Sequence, residues 1–375
     1  MLVAFSVSLF AVILAYLGKQ NVKWLFFAFF VIFVFQALRF DYGPDYIEYL
    51  AMFKDINGNT ISLGSISSLY DITRGHEIGW VIINILCKPI GFFGMVIVLA
   101  AFENWVLHRF VKKYVPQNLY WVAVACYAFS TTLFLVGPCS MMRQWLAIIL
   151  FLMAFQYIEK REPLKYYLII AAAITIHTSA IILLPFYFVT KIPQIKAIPF
   201  KLSVVFILIF IVWVYFAPQL FSDNIVSLLS LETFEHYSGH LEYEAKDVKS
   251  NLLGMFRTII TLYVVPFIVV LSIPKLNKVS QHIAVLYLFS LLFLPLESIV
   301  HLINRMGYYF LVFSICAIPM AINVYQPKKD TNRIIVYGIF ILYALFSVRS
   351  YLSLPSSEIW SSFQEYETIF SVDWL

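Results

Sequence analysis

Long apolar runs separated by short polar stretches fill the chain from its first residues. They fall at about 2–17, 22–38, 91–110, 119–137, 141–158, 202–217, 252–273, 280–297, 303–323 and 332–349, with a further run at 164–189. A helix needs about 20 apolar residues to cross a hydrocarbon core roughly 30 Å thick, and most of these runs approach that length. No stretch alternates with a period of two, and lipid cannot satisfy an open backbone, so each run is predicted to be helical. The expected fold class is all-α, a polytopic integral membrane protein of about 10–12 transmembrane segments forming one membrane domain over residues 1–375. No internal repeat or separate soluble domain is visible.

The run at 164–189 decides the topology. As one long helix it carries Lys191, Lys196 and Lys201 to the side opposite Lys160, Arg161 and Lys165, and inverts every later loop. Turned back at Ile176-His177-Thr178-Ser179, it leaves these clusters on one side with Lys19/Lys23, Arg109/Lys112/Lys113, Lys275/Lys278 and Lys328/Lys329/Arg333. Asp41, Asp45, Glu48, Asp71, Glu77, Glu232, Glu235 and Glu297 then fall on the other side. The excess of Lys and Arg in cytoplasmic loops selects this solution. Each arm has about 13 residues, roughly 20 Å of helix, short of a full span. A re-entrant or broken helix pair is therefore expected near 164–189, with Ser179 capping its second arm.

Composition sharpens the picture. The residues are 62% hydrophobic and 13% charged, against about 25% charged in soluble domains, so lipid must be the solvent. The four cysteines, Cys87, Cys126, Cys139 and Cys316, are scattered and read as small hydrophobes. Met1 to Leu17 has no basic leader and no small-residue cleavage site, and reads as a retained first helix. A Walker loop, a dinucleotide fingerprint, a CxxC pair and an Asp-x-Asp motif are all missing. No soluble activated nucleotide, cofactor or nucleic-acid partner is implied.

Two larger outer segments remain. Residues 39–90 form a first outer loop with a short interfacial helix near 77–88, and residues 218–251 a second, rich in Glu, Tyr and His. His236 and His240 have the spacing of helical metal ligands, but Ser238-Gly239 between them opposes a helix, and no metal site is expected.

Unusual residues converge at the outer helix ends. Arg39 closes the second run and opens Arg39-Phe-Asp41-Tyr-Gly43-Pro-Asp45; Arg143-Gln144 follows the Gly137-Pro138 break; His177 sits at the hairpin tip; Arg305 begins the run at 303–323. Membrane-boundary Arg and His mark functional sites, although an arginine can also simply reach headgroups. Arg143 and Arg305 are expected at helix N-termini, where the dipole and free N–H groups favour an anion. A guanidinium fork suits phosphate oxygens, so the pocket reads as a phosphate or pyrophosphate binder at the outer leaflet. Asp45 is the best carboxylate for taking a proton, or else a partner of Arg39, and His177 is either a base, a donor to phosphate or a structural turn residue. His76-Glu77 either contacts sugar or caps the following helix through Glu77.

At these residues the chain resembles a known family. Arg39…Gly43-x-Asp45-x-x-x-Tyr49-x-x-x-Phe53 resembles the first outer-loop motif of the EpsG/Wzy-type bacterial polysaccharide polymerases. Met142-Arg143-Gln144-Trp-Leu-Ala147, Ile176-His177-Thr-Ser179-Ala180 and Asn304-Arg305-Met-Gly-Tyr-Tyr309 follow in the family's order, covering about residues 36–325. His76-Glu77-x-Gly79 departs from the Glu-Pro-like form of the family. The resemblance implies a GT-C-like membrane glycosyltransferase of the bacterial inner membrane, making O-antigen, capsule or exopolysaccharide. It implies an undecaprenyl-pyrophosphate-linked oligosaccharide as substrate, an active site facing the periplasm, and a chain-length-regulating co-polymerase as partner. Carried over by position, Arg143 and Arg305 hold the donor pyrophosphate, Arg39 supports them and His177 lies nearby; charge and placement, and not the resemblance, give Asp45 the task of orienting or deprotonating the acceptor hydroxyl. Gln144, His76, Glu77, Tyr49, Tyr308 and Tyr309 are further candidates for sugar or acceptor contact. An O-antigen ligase and a flippase for lipid-linked sugars remain as rivals; the first expects one large outer loop, the second inverted or paired repeats.

Overall fold

An apolar stretch in lipid finds no water for its backbone N–H and C=O groups, and the helix is the state that pairs them within one segment. The computed structural model describes residues 1–58, 77–206, 208–213, 216, 256–293, 301–325, 331–356 and 358–371. The second outer segment, with His236 and His240, lies outside the described residues, as do His76 and Glu297. Among the described residues, Lys88–Tyr114, Phe256–Lys275 and Arg333–Ser356 are each long and apolar enough to cross a membrane. Two pairs reach that length only jointly: Gln117–Ala128 with Thr131–Cys139, bent by 74°, and Arg305–Leu311 with Ser314–Tyr325, bent by 43°. Leu2–Leu17, Lys23–Ala37, Pro163–Ile176, Thr178–Lys191, Phe200–Trp213 and Lys278–Phe293 are apolar but shorter. The chain is an all-α polytopic membrane protein, and two of its expected straight spans, 119–137 and 303–323, are broken ones.

The chain divides into two compact units, Met1–Lys191 with Ser347–Leu375, and Ile192–Phe346. In the first, His177 adopts an extended conformation (φ −151°, ψ 113°) that ends the helix Pro163–Ile176. The following segment Thr178–Lys191 winds more tightly around Pro185, which has no N–H to give. It returns along the arm it left: the Tyr166 hydroxyl donates to the Leu183 carbonyl at 2.7 Å, and the Tyr166 and Tyr187 rings lie 5.4 Å apart. In a continuous helix, residues 166 and 183 would be separated by about 25 Å. The hairpin is real, and it returns Lys191 to the end of the unit that holds Lys165.

That end also holds the first unit's basic turns around Lys19 and Lys113. Gln117 donates to the carbonyl of Gly18 at 3.0 Å, and Lys113 pairs with Glu159 at 2.5 Å. The opposite end is closed by the C-terminal segment, which the apolar pattern leaves unassigned. Glu367–Thr368 pairs antiparallel with Arg39–Phe40, in the register Arg39↔Thr368 and Phe40↔Glu367. Tyr366 stacks on Phe35 with centroids 4.6 Å apart and donates to the Phe35 carbonyl at 2.6 Å. Between the two ends lies a polar seam: Asn104 donates to Gln36 at 2.8 Å, and Gln36 donates to the Tyr127 hydroxyl at 3.2 Å.

In the second unit, Gln281 accepts from the Ile195 N–H at 2.9 Å and donates to the carbonyls of Ile195 and Ile273, each at 2.8 Å. It thereby ties the chain after Ile192 to the helix Lys278–Phe293. Trp213 donates to the Leu292 carbonyl at 3.1 Å.

The hairpin has a direct test. In a cysteine-free background, Arg161→Cys and Lys191→Cys are expected to react with an impermeant maleimide from the same face of the membrane, and Ser179→Cys from the other. Labelling of positions 161 and 191 from opposite faces would overturn the topology.

Candidate functional site

Two turns assemble this end of the first unit. In the first, Asp41 and Gly43 have φ of 42° and 118°. Aspartate tolerates the left-handed region, whereas Gly43 is needed for a second reason. A Cβ there would lie 2.5 Å from the Cys139 carbonyl oxygen. The turn thus presses onto Gly137-Pro138-Cys139-Ser140, and Asp45, just before the helix Tyr46–Gly58, accepts a hydrogen bond from the Ser140 hydroxyl at 2.8 Å.

The second contact seats the short helix Ile78–Leu86, close to its expected place at 77–88, against the arm Pro163–Ile176. Gly79 allows it, since a Cβ at that position would come 2.4 Å from Thr175 Oγ1 and 2.8 Å from the Thr175 carbonyl oxygen. Glu77, the residue before this helix, makes no cap to it. Its carboxylate instead accepts a hydrogen bond from Arg143 Nη1, and its Oε1 lies 3.2 Å from His177 Nδ1.

Arg143 stands in the first turn of the helix Met142–Lys160, as its sequence context predicts. Its guanidinium carbon lies 5.9 Å from the centroid of the Tyr49 ring, which packs on Trp80 with centroids 5.5 Å apart. Its Nε is buried with no acceptor among the described residues. Burial alone would raise the Glu77 carboxyl, but the hydrogen bond from His177 and the charge of Arg143 outweigh it and bring the pKa down to about 2. Glu77 is therefore ionised at neutral pH and offsets the charge of Arg143. The site offers directed N–H donors more than net positive charge.

Arg39 is placed differently from its expected role beside an anion. It is 2% exposed and donates through Nη1 to the Gln36 carbonyl and through Nη2 to the Pro138 carbonyl, the latter at 2.7 Å. A cation taken out of water is held where acceptors replace its hydration, and these carbonyls make Arg39 a clamp between the helix Lys23–Ala37 and the break at Pro138. Arg305 belongs to the second unit. Its helix opens at His301, so it occupies the second turn and not the expected N-terminus. It is exposed, Tyr308 is partly buried and Tyr309 is buried. Gln144 is buried beside Arg143. The structure thus gathers Asp45, Tyr49, Glu77, Arg143 and His177 at one end of one unit.

Sequence reading names Glu77 only for capping or sugar contact, and does not single out Ser140 or Glu103. Glu103 is 4% exposed and interacts electrostatically with Arg39. Its signal was present, as the one carboxylate of the run 91–110. Ser140 carried none, because its role depends on the docking of a turn almost a hundred residues earlier.

Among known proteins, the family model described as EpsG family matches residues 22–368. No curated protein and no solved structure matches the chain.

The lowered pKa of Glu77 fixes the direction of an acid response. Stability from its contacts is complete above the ordinary value of 4.5 and is lost as pH falls towards about 2. A shift of this size corresponds to at most about 3 kcal/mol. Glu77→Gln is expected to lower the unfolding temperature at pH 7 and to flatten its fall between pH 4.5 and 2, followed by tryptophan fluorescence. An unchanged acid profile would refute the ion-pair assignment.

Proposed function

The chain belongs to the EpsG family, and from that premise we propose that it joins undecaprenyl-pyrophosphate-linked oligosaccharide repeats at the outer face of the bacterial inner membrane, passing the growing glycan to the non-reducing end of the next unit. Membership makes it a polysaccharide polymerase of glycosyltransferase type; the donor, the face and the residue roles are the finer reading. The observation that carries this reading is the Glu77–Arg143–His177 cluster, at the bundle end away from the lysine-rich turns. The positive-inside rule assigns those turns to the cytoplasm and the cluster to the periplasm.

In the proposed reaction the acceptor hydroxyl attacks the anomeric carbon of the donor glycan. The bond from that carbon to the pyrophosphate oxygen breaks, and its electron pair leaves with the pyrophosphate. Arg143 donates to the departing oxygens. His177 has Nδ1 engaged by Glu77, which leaves Nε2 as the ring nitrogen for the ligand. Asp45, oriented by Ser140, takes the acceptor proton. Glu77 is a positioning residue that fixes the arginine and the imidazole before substrate arrives. Arg305 keeps an assignment to pyrophosphate from the Asn304-Arg305-Met-Gly-Tyr-Tyr309 pattern alone, and a co-polymerase partner follows from family analogy.

The purified protein given lipid-linked repeat units is expected to build a ladder of products without added nucleotide. Substrate that only crosses a vesicle unchanged would sink the proposal in favour of a flippase. Arg143→Ala is expected to slow chain growth about 100- to 1,000-fold with the protein still folded. Asp45→Asn should slow it about 100- to 10,000-fold. Wild-type chain lengths from both variants would remove the proposed roles.

A further inference from the structure

The basic end of the first unit holds a cavity of about 940 Å³ between the helices Gly91–Tyr114 and Met142–Lys160. Such a volume is in the range of small-molecule sites, roughly 300–1,000 Å³. Its lining divides by chemistry. His108, Arg109, Lys112 and Lys113 bring basic nitrogen, and Phe26 and Trp105 bring apolar surface directly beside them, Phe26 packing on His108 with ring centroids 6.0 Å apart. Arg109, Lys112 and Lys113 are spaced three and four residues apart, so they share one face of their helix.

Among the described residues, two of these cations have no carboxylate in a salt bridge with them. Lys113 is paired with Glu159 at 2.5 Å, but no salt bridge is formed by Arg109 or Lys112 among the described residues. The negative helix C-terminus accounts for Lys112 and Lys113 in the last turn. It does not account for Arg109, which lies more than a turn back with its guanidinium carbon 5.0 Å from the Trp105 ring centroid. Phe26 and Trp105 are 53% and 49% exposed, and the indole of Trp105 is an amphipathic ring of the kind enriched where hydrocarbon gives way to headgroups. A soluble anion has no use for these apolar side chains, whereas an amphiphile uses both kinds.

We propose that this cavity binds the phosphate group of an anionic lipid, with Arg109 and Lys112 as its donors and Phe26 and Trp105 along its chains. It is distinct from the Glu77–Arg143–His177 cluster: Gln156, which lines it, lies 13 residues along the same helix from Arg143, about 20 Å away. The proposal stands independently of the glycan-transfer reading. A basic pocket between helices on the lysine-rich side is the setting in which acidic headgroups are recognised.

Native mass spectrometry of the full-length protein tests it, with phosphatidylglycerol, phosphatidylcholine and inorganic phosphate as the three probes. The wild type is expected to retain phosphatidylglycerol over phosphatidylcholine. Arg109→Gln with Lys112→Gln should weaken that retention about 30-fold, and each single change about fivefold, should the double variant not fold. Arg143→Gln should leave it unchanged. Equal retention of the two lipids, or undiminished phosphatidylglycerol on the folded variants, would overturn the site. Displacement of the lipid by micromolar inorganic phosphate would overturn the lipid as its source.

Discussion

The carbonyls around Pro138 and the guanidinium that answers them hold the candidate site in place. Proline has no N–H and interrupts the helix ladder, leaving acceptors that lipid cannot serve. Arg39 reaches the Pro138 carbonyl, and Gln36, one turn earlier, donates to the Phe134 carbonyl at 3.4 Å, the acceptor an α-helical Pro138 could not serve. One helix end thus satisfies the break in another, and the turn Asp41–Asp45 has to follow. Tyr46 completes the fit, donating to the Arg39 carbonyl at 3.0 Å while its ring lies 5.8 Å from the guanidinium. Once Gly43 is against Cys139, Asp45 meets Ser140 and Tyr49, one turn on, meets Arg143.

Glu77 is the second organising element, and it changes the electrostatic character of the site. Arg143 alone would be an isolated, partly buried cation, expensive beside a membrane. Paired with Glu77 it is neutralised but fixed, and the imidazole of His177 is fixed with it. A group held before a charged ligand arrives need not reorganise when charge develops, and that preorganisation is the larger part of electrostatic catalysis. The short helix that carries Glu77 can come close enough only because Gly79 presents no side chain to Thr175.

The two ends of the first unit divide their work by charge. Basic turns gather at one, where a cationic, aromatic-walled cavity suits a headgroup; the mixed cluster of Arg, His and carboxylates occupies the other. Between them runs the seam of Gln36, Asn104 and Tyr127, joined by hydrogen bonds from Asn104 to Gln36 and from Gln36 to Tyr127, with the buried Glu103 next to it in the chain.

Much of this was legible in the sequence, because its signals are local or additive. Apolar length fixes helices in lipid, and the distribution of lysines and arginines required the reversal at His177 that the Tyr166–Leu183 contact displays. The placement of Arg143 in a first helical turn and of His177 at a hairpin tip also follows from neighbours in the chain. Tertiary structure alone decided the partners. Nothing near Arg39 shows that its guanidinium is committed to carbonyls 3 and 99 residues away. Glu77 likewise gives no sign in its own context of partners 66 and 100 residues distant. The bends at 74° and 43° and the return of the C-terminal segment to Arg39–Phe40 are decisions of the same kind. Which donor meets which acceptor depends on distances set by the packed helices, and those distances exist only after folding.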